Sequence, residues 1–322
     1  MSQRPVNLTH SNNLLPFIEY FESQGIQWRD TADQYQIPDM LEDQTYWLPT
    51  HAALSFISAM ISKSHDRLGI EVGQLLTVGH MFPELGQALE KCQSLSDGIH
   101  ALVEQMQTMN NHVIFWPEKI NDKWYLCHRG AYPIFAPGYD QAEWFRSFAL
   151  ITMCRDFLGE TWIPHSVWLS FKSHLAQRLP TGMEPVEVRY EQAYGAIEVP
   201  LPRDFKPVEI DYKREAWFEE IKRLVHSYAP LPWFNIDWLA GFIGVSTRTM
   251  KRRFTENQCS FQELKEKKRC ELACELLEQS VPVADVAWRC GYSDLSNFNR
   301  AFRRWKSMTP AQYRKAHGSK QA

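Results

Sequence analysis

The chain repeats itself near its C-terminal end, and an internal repeat constrains the fold more tightly than any composition. The stretch "IDWLAGFIGVSTRTMKRRF" holds Ala240, Gly244 and Ser246, and "VADVAWRCGYSDLSNFNRAF" holds Ala287, Gly291 and Ser293, each pair 47 residues apart. Met250 and Phe254 of the first answer to Phe298 and Phe302 of the second at a spacing of 48, so one residue is inserted after the serine. One supersecondary unit is therefore used twice. Its small Ala lets a first helix close on a second. Its Gly ends that first helix in a conformation that a side chain disfavours, and its Ser offers an oxygen to the free N–H groups of the next helix. These are the parts of a helix-turn-helix.

The second helix of each copy sorts its residues by face. In copy one Met250 and Phe254 point inward, leaving Arg248, Lys251 and Arg252 outside. In copy two Leu295, Phe298, Phe302 and Trp305 form a buried stripe at i, i+3, i+7 and i+10, leaving Ser296, Asn299, Arg300 and Arg303 outside. Arg and Lys bond guanine O6 and N7, and Asn bonds adenine N6 and N7, when such a helix lies in the major groove. These seven side chains are the expected DNA-binding residues, with Lys251 and Arg303 expected on the phosphate backbone. Between the copies, "SFQELKEKKRCELACELLEQ" aligns Phe261, Leu264, Leu272, Leu276 and Leu277 on one face. That reads as a rigid helix spacing two recognition helices for successive major grooves, roughly 34 Å apart.

Charge supports a polyanion partner for this half alone. Residues 1–210 carry 15 Lys and Arg against 25 Asp and Glu, whereas residues 211–322 carry 20 against 13. At 322 residues the chain suits two domains. Pro200, Pro202 and Pro207 break it, "KREAWFEEIKRLVHSYA" follows with helical spacing, and Pro230 and Pro232 stop that helix. The expected organisation is a regulatory domain over 1–205, a linker with a connecting helix over 206–229, and a DNA-binding domain over 230–316.

Residues 230–316 resemble the DNA-binding domain of the AraC family of bacterial transcription regulators. Val286, Ala287, Gly291, Tyr292, Ser296, Phe298, Arg300, Phe302, Thr309, Pro310, Tyr313 and Arg314 fill the family's second-motif pattern. Gln258 and Ser307 stand where the family usually has Gly, so those turns either bear strain or change shape. The resemblance implies a seven-helix domain, double-stranded promoter DNA as partner, and activation through RNA polymerase.

The acidic half reads as α+β, giving an overall fold of an α+β N-terminal domain followed by an all-α domain with two helix-turn-helix motifs. "FIEYFESQGI", "LPTHAALSFISAMISKS", "LGQALEKCQSLSDGIHALVEQM" and "EWFRSFALITMCRDFLG" have helical periodicity. "HVIFWP", "KWYLCHR", "SVWLSF", "VEVRY" and "AIEVP" read as strands. Patterns such as "LGIEVGQLLTVGHMFPELGQAL" resemble the regulatory domain of the AraC branch that includes the ornithine-utilisation regulator and a mycobacterial virulence regulator. A homodimer controlled by a small-molecule effector is implied.

Catalytic patterns give no support for an enzyme: there is no HExxH, phosphate loop or GxSxG elbow. A repair or DNA-modifying protein with the same DNA-binding domain would need a metal-held reactive Cys cluster, whereas Cys92, Cys127 and Cys154 are widely spaced. A small-molecule enzyme fused to a DNA tether is the other alternative. Cys270 and Cys274 read as packed thiols, and His80, His112 and His128 as structural side chains. No cofactor or metal is expected. No signal sequence or apolar run of membrane length appears, so a cytoplasmic location is expected. Aromatic residues from Phe115 to Phe145, Trp116 and Trp124 foremost, offer a pocket for an apolar effector, and Arg129, Arg146 or Arg155 an anchor for its carboxylate.

Overall fold

The computed structural model describes residues 6–38, 46–109, 113–208 and 217–318. Contacts divide it into two compact units, one built from residues between 7 and 208, the other from 217–318 together with Val6.

In the first unit, β1 (Leu8–His10) pairs antiparallel with β2 (Trp47–Pro49), and α1 (Leu15–Ser23) and α2 (Arg29–Gln34) lie between them in the chain. Five helices follow: α3 (Thr50–Ile61), α4 (Leu68–Leu75), α5 (Val78–Met81), α6 (Pro83–Leu89) and α7 (Leu95–Met109). The hairpin β3 (Val113–Ile120) and β4 (Lys123–Gly130) then leads into α8 (Tyr139–Leu158). The strands β5 (Ser166–Trp168), β6 (Glu187–Arg189) and β7 (Gly195–Val199) complete a five-stranded sheet of order β3-β4-β7-β5-β6. All its pairings are antiparallel except β5 with β6. The five expected strands are all present, and the expected long helix over 85–106 is broken around Cys92–Ser94 into α6 and α7.

Helix α8 is the spine of this unit. Its buried residues include Ala142, Trp144, Phe145, Phe148, Leu150, Ile151, Met153 and Cys154, which face more than one side of the helix. Gln141, Glu143 and Ser147 are buried with them, so most of the helix surface is covered, and α8 packs on α4 and on β7. Gly73 permits the α4 approach, since a Cβ there would meet the Phe148 Cβ at 2.6 Å.

The second unit has seven helices among the described residues: α9 (Trp217–Tyr228), α10 (Ile236–Ile243), α11 (Thr247–Glu256), α12 (Phe261–Glu278), α13 (Val283–Arg289), α14 (Leu295–Lys306) and α15 (Pro310–His317). Helix α9 packs on α12 within this unit, although its sequence lies in the expected connecting segment. Helix α12, roughly 27 Å long at 1.5 Å per residue, runs between two cores. Near its start, Phe261 joins Phe254 and Phe234, and Phe254 meets Phe218 edge-on at 5.3 Å. Toward its end, Leu272, Leu276 and Leu277 join Val286, Phe298, Phe302 and Tyr313.

Capping chemistry sets the starts of these helices. Asn235 caps α10, and capping boxes of Ser260 with Glu263 and of Thr309 with Gln312 open α12 and α15. Pro310 then sits at the first helical position, where its missing N–H costs nothing. Gln258 and Ser307 adopt the left-handed conformation that favours glycine, at φ 55° and 58°, so these turns bear strain.

Candidate nucleic-acid interface and effector cavity

The two helix-turn-helix units are α10–α11 and α13–α14. Gly244 and Gly291 both have φ of 76° and end the first helix of each unit. Ala240 and Ala287 are buried, as close helix contact requires. Ser246 caps α11, accepting from the Thr249 N–H at 3.1 Å. In the second unit the cap is Asp294, which accepts from the Asn297 N–H at 2.8 Å, and not Ser293. The residue inserted after the serine moves the helix start by one, and Asp caps as well as Ser.

On α11, Met250 and Phe254 are buried, and Arg248, Lys251 and Arg252 are exposed. Arg252 pairs with Glu256 at 3.4 Å, whereas Arg248 and Lys251 carry no ion pair among the described residues. On α14, Phe298 and Phe302 are buried, Ser296, Arg300 and Arg303 are exposed, and Asn299 is half-buried. The Arg300 guanidinium donates to the Asn297 side-chain oxygen. Arg304 is tied to Glu266 of α12 at 2.7 Å, so it anchors the helix from behind.

One member of the expected buried stripe is misplaced. Leu295 is 45% exposed, and Trp305 is half-buried. Leu295 is the first residue of α14, where the chain has only begun to turn toward the core, so helical spacing counted from it overreaches. An apolar side chain at the leading end of a recognition helix is a candidate partner for a thymine methyl. The signal available in the sequence was Asp294, whose capping fixes Leu295 at the helix start.

Arg269 of α12 holds the second unit in place. Its Nε donates to the Ala229 carbonyl at 2.7 Å, its Nη2 reaches the carbonyls of Leu231 and Gly291 at 3.5 Å, and its guanidinium lies 4.9 Å from the Tyr292 ring centre. Gly291 is crowded there: a Cβ would stand 2.0 Å from the Pro230 carbonyl oxygen.

The first unit contains a cavity of about 110 Å³, walled by α1, α3, α6, α7, α8 and β3. Arg146 lines it, with Phe115 and Phe145. Trp116, Trp124 and Arg129 do not. Alternation along the sheet explains this, because Phe115 and His128 are paired on the helix-covered face while Trp116 and Arg129 point the other way. Trp116 packs on Tyr194 and donates to Glu118, and Arg129 is exposed. Trp124 shares the covered face but lies at the far end of β4, donating to the Pro202 carbonyl and packing on Phe205. Arg155 donates to the Trp162 carbonyl at 2.9 Å.

Arg146 is held by a buried chain of hydrogen bonds. Its Nε donates to His128 Nδ1 at 3.5 Å. His128 Nε2 then faces the Ser147 hydroxyl at 3.3 Å, which donates to the Glu143 carbonyl at 3.0 Å. A guanidinium can only donate, so Nδ1 accepts and the ring proton sits on Nε2. Burial, with the neighbouring Arg146 charge, holds His128 well below the usual histidine range and keeps it neutral. Gly195 leaves room for the ring, since a Cβ there would lie 2.3 Å from His128 Cε1. His112 lies outside the described residues, as does the side chain of His80.

Two cysteines of the first unit are unsuited to a reactive centre. Cys127 and Cys154 are buried, and burial pushes the Cys127 thiol up and that of Cys154 up to about 12, opposite to a reactive thiolate. Cys270 and Cys274 sit in the core of the second helix-turn-helix. Among the described residues no three His, Cys, Asp or Glu side chains gather as a metal site, and no helix is long and apolar enough to cross a membrane.

Comparison with known proteins gives two family matches. The arabinose-binding domain of AraC transcription regulators matches residues 25–201, and a helix-turn-helix domain matches residues 239–316. An uncharacterised HTH-type transcriptional regulator of Mycobacterium tuberculosis is 36% identical over 76 residues, 23% of this chain and 22% of the relative. The ornithine utilization regulator of Pseudomonas aeruginosa is 26% identical over 151 residues, 46% of this chain and 41% of that protein. These matches span less than half the length of those relatives. Among solved structures, the transcriptional regulator CdpR from Pseudomonas aeruginosa is 19% identical with a TM-score of 0.39, covering 94% of this chain and 98% of its own.

Proposed function

This chain belongs to the AraC family of transcription regulators, and from that premise we propose that it is a sequence-specific DNA-binding regulator under the control of a small effector, and not an enzyme. The observation that carries the reading is the pair of capped helix-turn-helix units joined by α12, each with exposed cationic side chains on its second helix. In this reading Arg248, Arg252, Ser296, Asn299 and Arg300 reach base edges, joined by Leu295, and Lys251 and Arg303 grip phosphates. The cavity beside Arg146 receives the effector.

The family further supports a homodimer that works in the cytoplasm on promoter DNA and activates through RNA polymerase. An effector acts by its differential affinity for two states of the protein, so DNA and effector alter each other's binding by the same factor. The name of the matching N-terminal family suggests a sugar, but an apolar wall does not suit one.

The test is binding of the full-length chain to genomic fragments, with the best fragment titrated over salt. Neutralising about six to ten phosphates lowers affinity roughly a thousandfold or more between 50 and 200 mM salt. Affinity that hardly changes over that range, or capture without preference for any fragment, contradicts the reading.

A further inference from the structure

Arg146 is a cation set into an apolar cavity with its hydrogen bonding incomplete. Its Nη2 is shielded from solvent and has no partner, and among the described residues it makes no ion pair. The other residues of α8 that wall the cavity, Ala142, Phe145, Ala149, Leu150 and Met153, are all apolar, so Arg146 is the one charge on that face. His128 fixes the guanidinium through Nε and leaves Nη2 without a hydrogen-bond partner, while the group lies 5.8 Å from the Tyr139 ring centre and acts electrostatically on the buried Glu143 carboxylate.

A charged donor with incomplete hydrogen bonding is costly in such surroundings, and an anion that accepts from the guanidinium relieves it. Beyond Arg146, only Thr9, Asn13 and Thr50 among the lining residues have polar side chains. A neutral sugar, with a hydroxyl on nearly every carbon, would leave most of them unbonded. A hydrocarbon body fits the wall, which is built from Phe17, Ile57, Phe82 and Phe115 among others. At about 110 Å³ the space is somewhat smaller than an engineered cavity of about 150 Å³ that takes up benzene, which sets the enclosed body of the ligand at roughly six carbon atoms.

We propose that this cavity binds a small apolar monocarboxylate, with the carboxylate on the Arg146 guanidinium and the hydrocarbon body among Phe17, Phe82 and Phe115. The inference rests on the effector reading above only for its regulatory meaning, since binding itself can be measured without DNA.

Calorimetric titration of the full-length chain tests it, with hexanoate and benzoate as acids, hexan-1-ol and benzyl alcohol as their neutral counterparts, and L-arabinose. At least one acid is expected to bind tenfold or more tightly than its alcohol, and the pair that responds tells an aliphatic ligand from an aromatic one. Arabinose is expected not to bind. In Arg146→Met the alcohol still binds, which shows the cavity intact, and the preference for the acid disappears. Acids no tighter than alcohols in the unaltered protein, a preference that survives Arg146→Met, or binding of arabinose alone overturns the proposal. An acid that binds through Arg146 yet leaves operator affinity unchanged supports this site and contradicts the effector reading.

Discussion

The two helix-turn-helix units share a plan and differ in their surroundings. Gly244 has open space where a Cβ would go, so only its φ of 76° demands glycine. Gly291 has the same φ and also faces the Pro230 carbonyl and the Arg269 guanidinium. The first turn is a free-standing bend, whereas the second is wedged against the segment that follows α9 and bolted there by Arg269. One local signal in the sequence therefore serves two mechanical roles. The second unit gains a fixed orientation at the cost of tolerance to change.

That difference predicts an unequal response to the same substitution. Gly291→Ala should destabilise the protein by about 3 to 5 kcal/mol, because strain and a backbone clash combine. Gly244→Ala should cost about 1 to 2 kcal/mol from the left-handed backbone alone. Denaturant midpoints of the two full-length variants measure this, and equal losses would break the comparison.

On DNA the comparison is between faces of a helix. Arg300→Ala should weaken the best site by about 1 to 3 kcal/mol and relax preference at one base position. Lys251→Ala and Arg303→Ala should weaken all sequences alike and lower the salt slope by about one. Binding to a panel of single-base variants separates the two behaviours, and uniform weakening by Arg300→Ala would move it to the phosphate group.

The smallest effects concern the caps. Ser246→Ala and Asp294→Ala should each cost about 1 kcal/mol, while Ser293→Ala, at the position that aligns with Ser246, should be close to neutral. If Ser293→Ala matches Asp294→Ala in thermal unfolding, the shifted start of α14 is wrong.

The second unit was legible in the sequence because its signals are local. Gly244, Gly291, Met250, Phe254, Phe298 and Phe302 act within one or two helical turns, and the structure places each as their spacing implies. Leu295 and Ser293 depart from their expected roles because they lie at a helix start, where a single inserted residue changes which side chain caps and which one packs. The first unit was legible as strands and helices but not as a site. Trp116 and Trp124 share with Phe115 the aromatic character expected of a pocket, yet their side in the sheet and distance along it decide what they line. Helix α8 conceals its cavity face because apolar residues are buried on more than one of its sides, and the bonding of Arg146 depends on His128, which precedes it by 18 residues in the chain.

Both α11 and α14 are expected to enter the major groove of one site. Hydroxyl-radical footprinting of the full-length chain on its best genomic fragment tests this most directly. It should show two protected patches per chain on one face of the duplex, about one helical turn or 10 base pairs apart, with Lys251→Ala thinning one and Arg300→Ala thinning the other. A single patch, unchanged by one of the two substitutions, would contradict it.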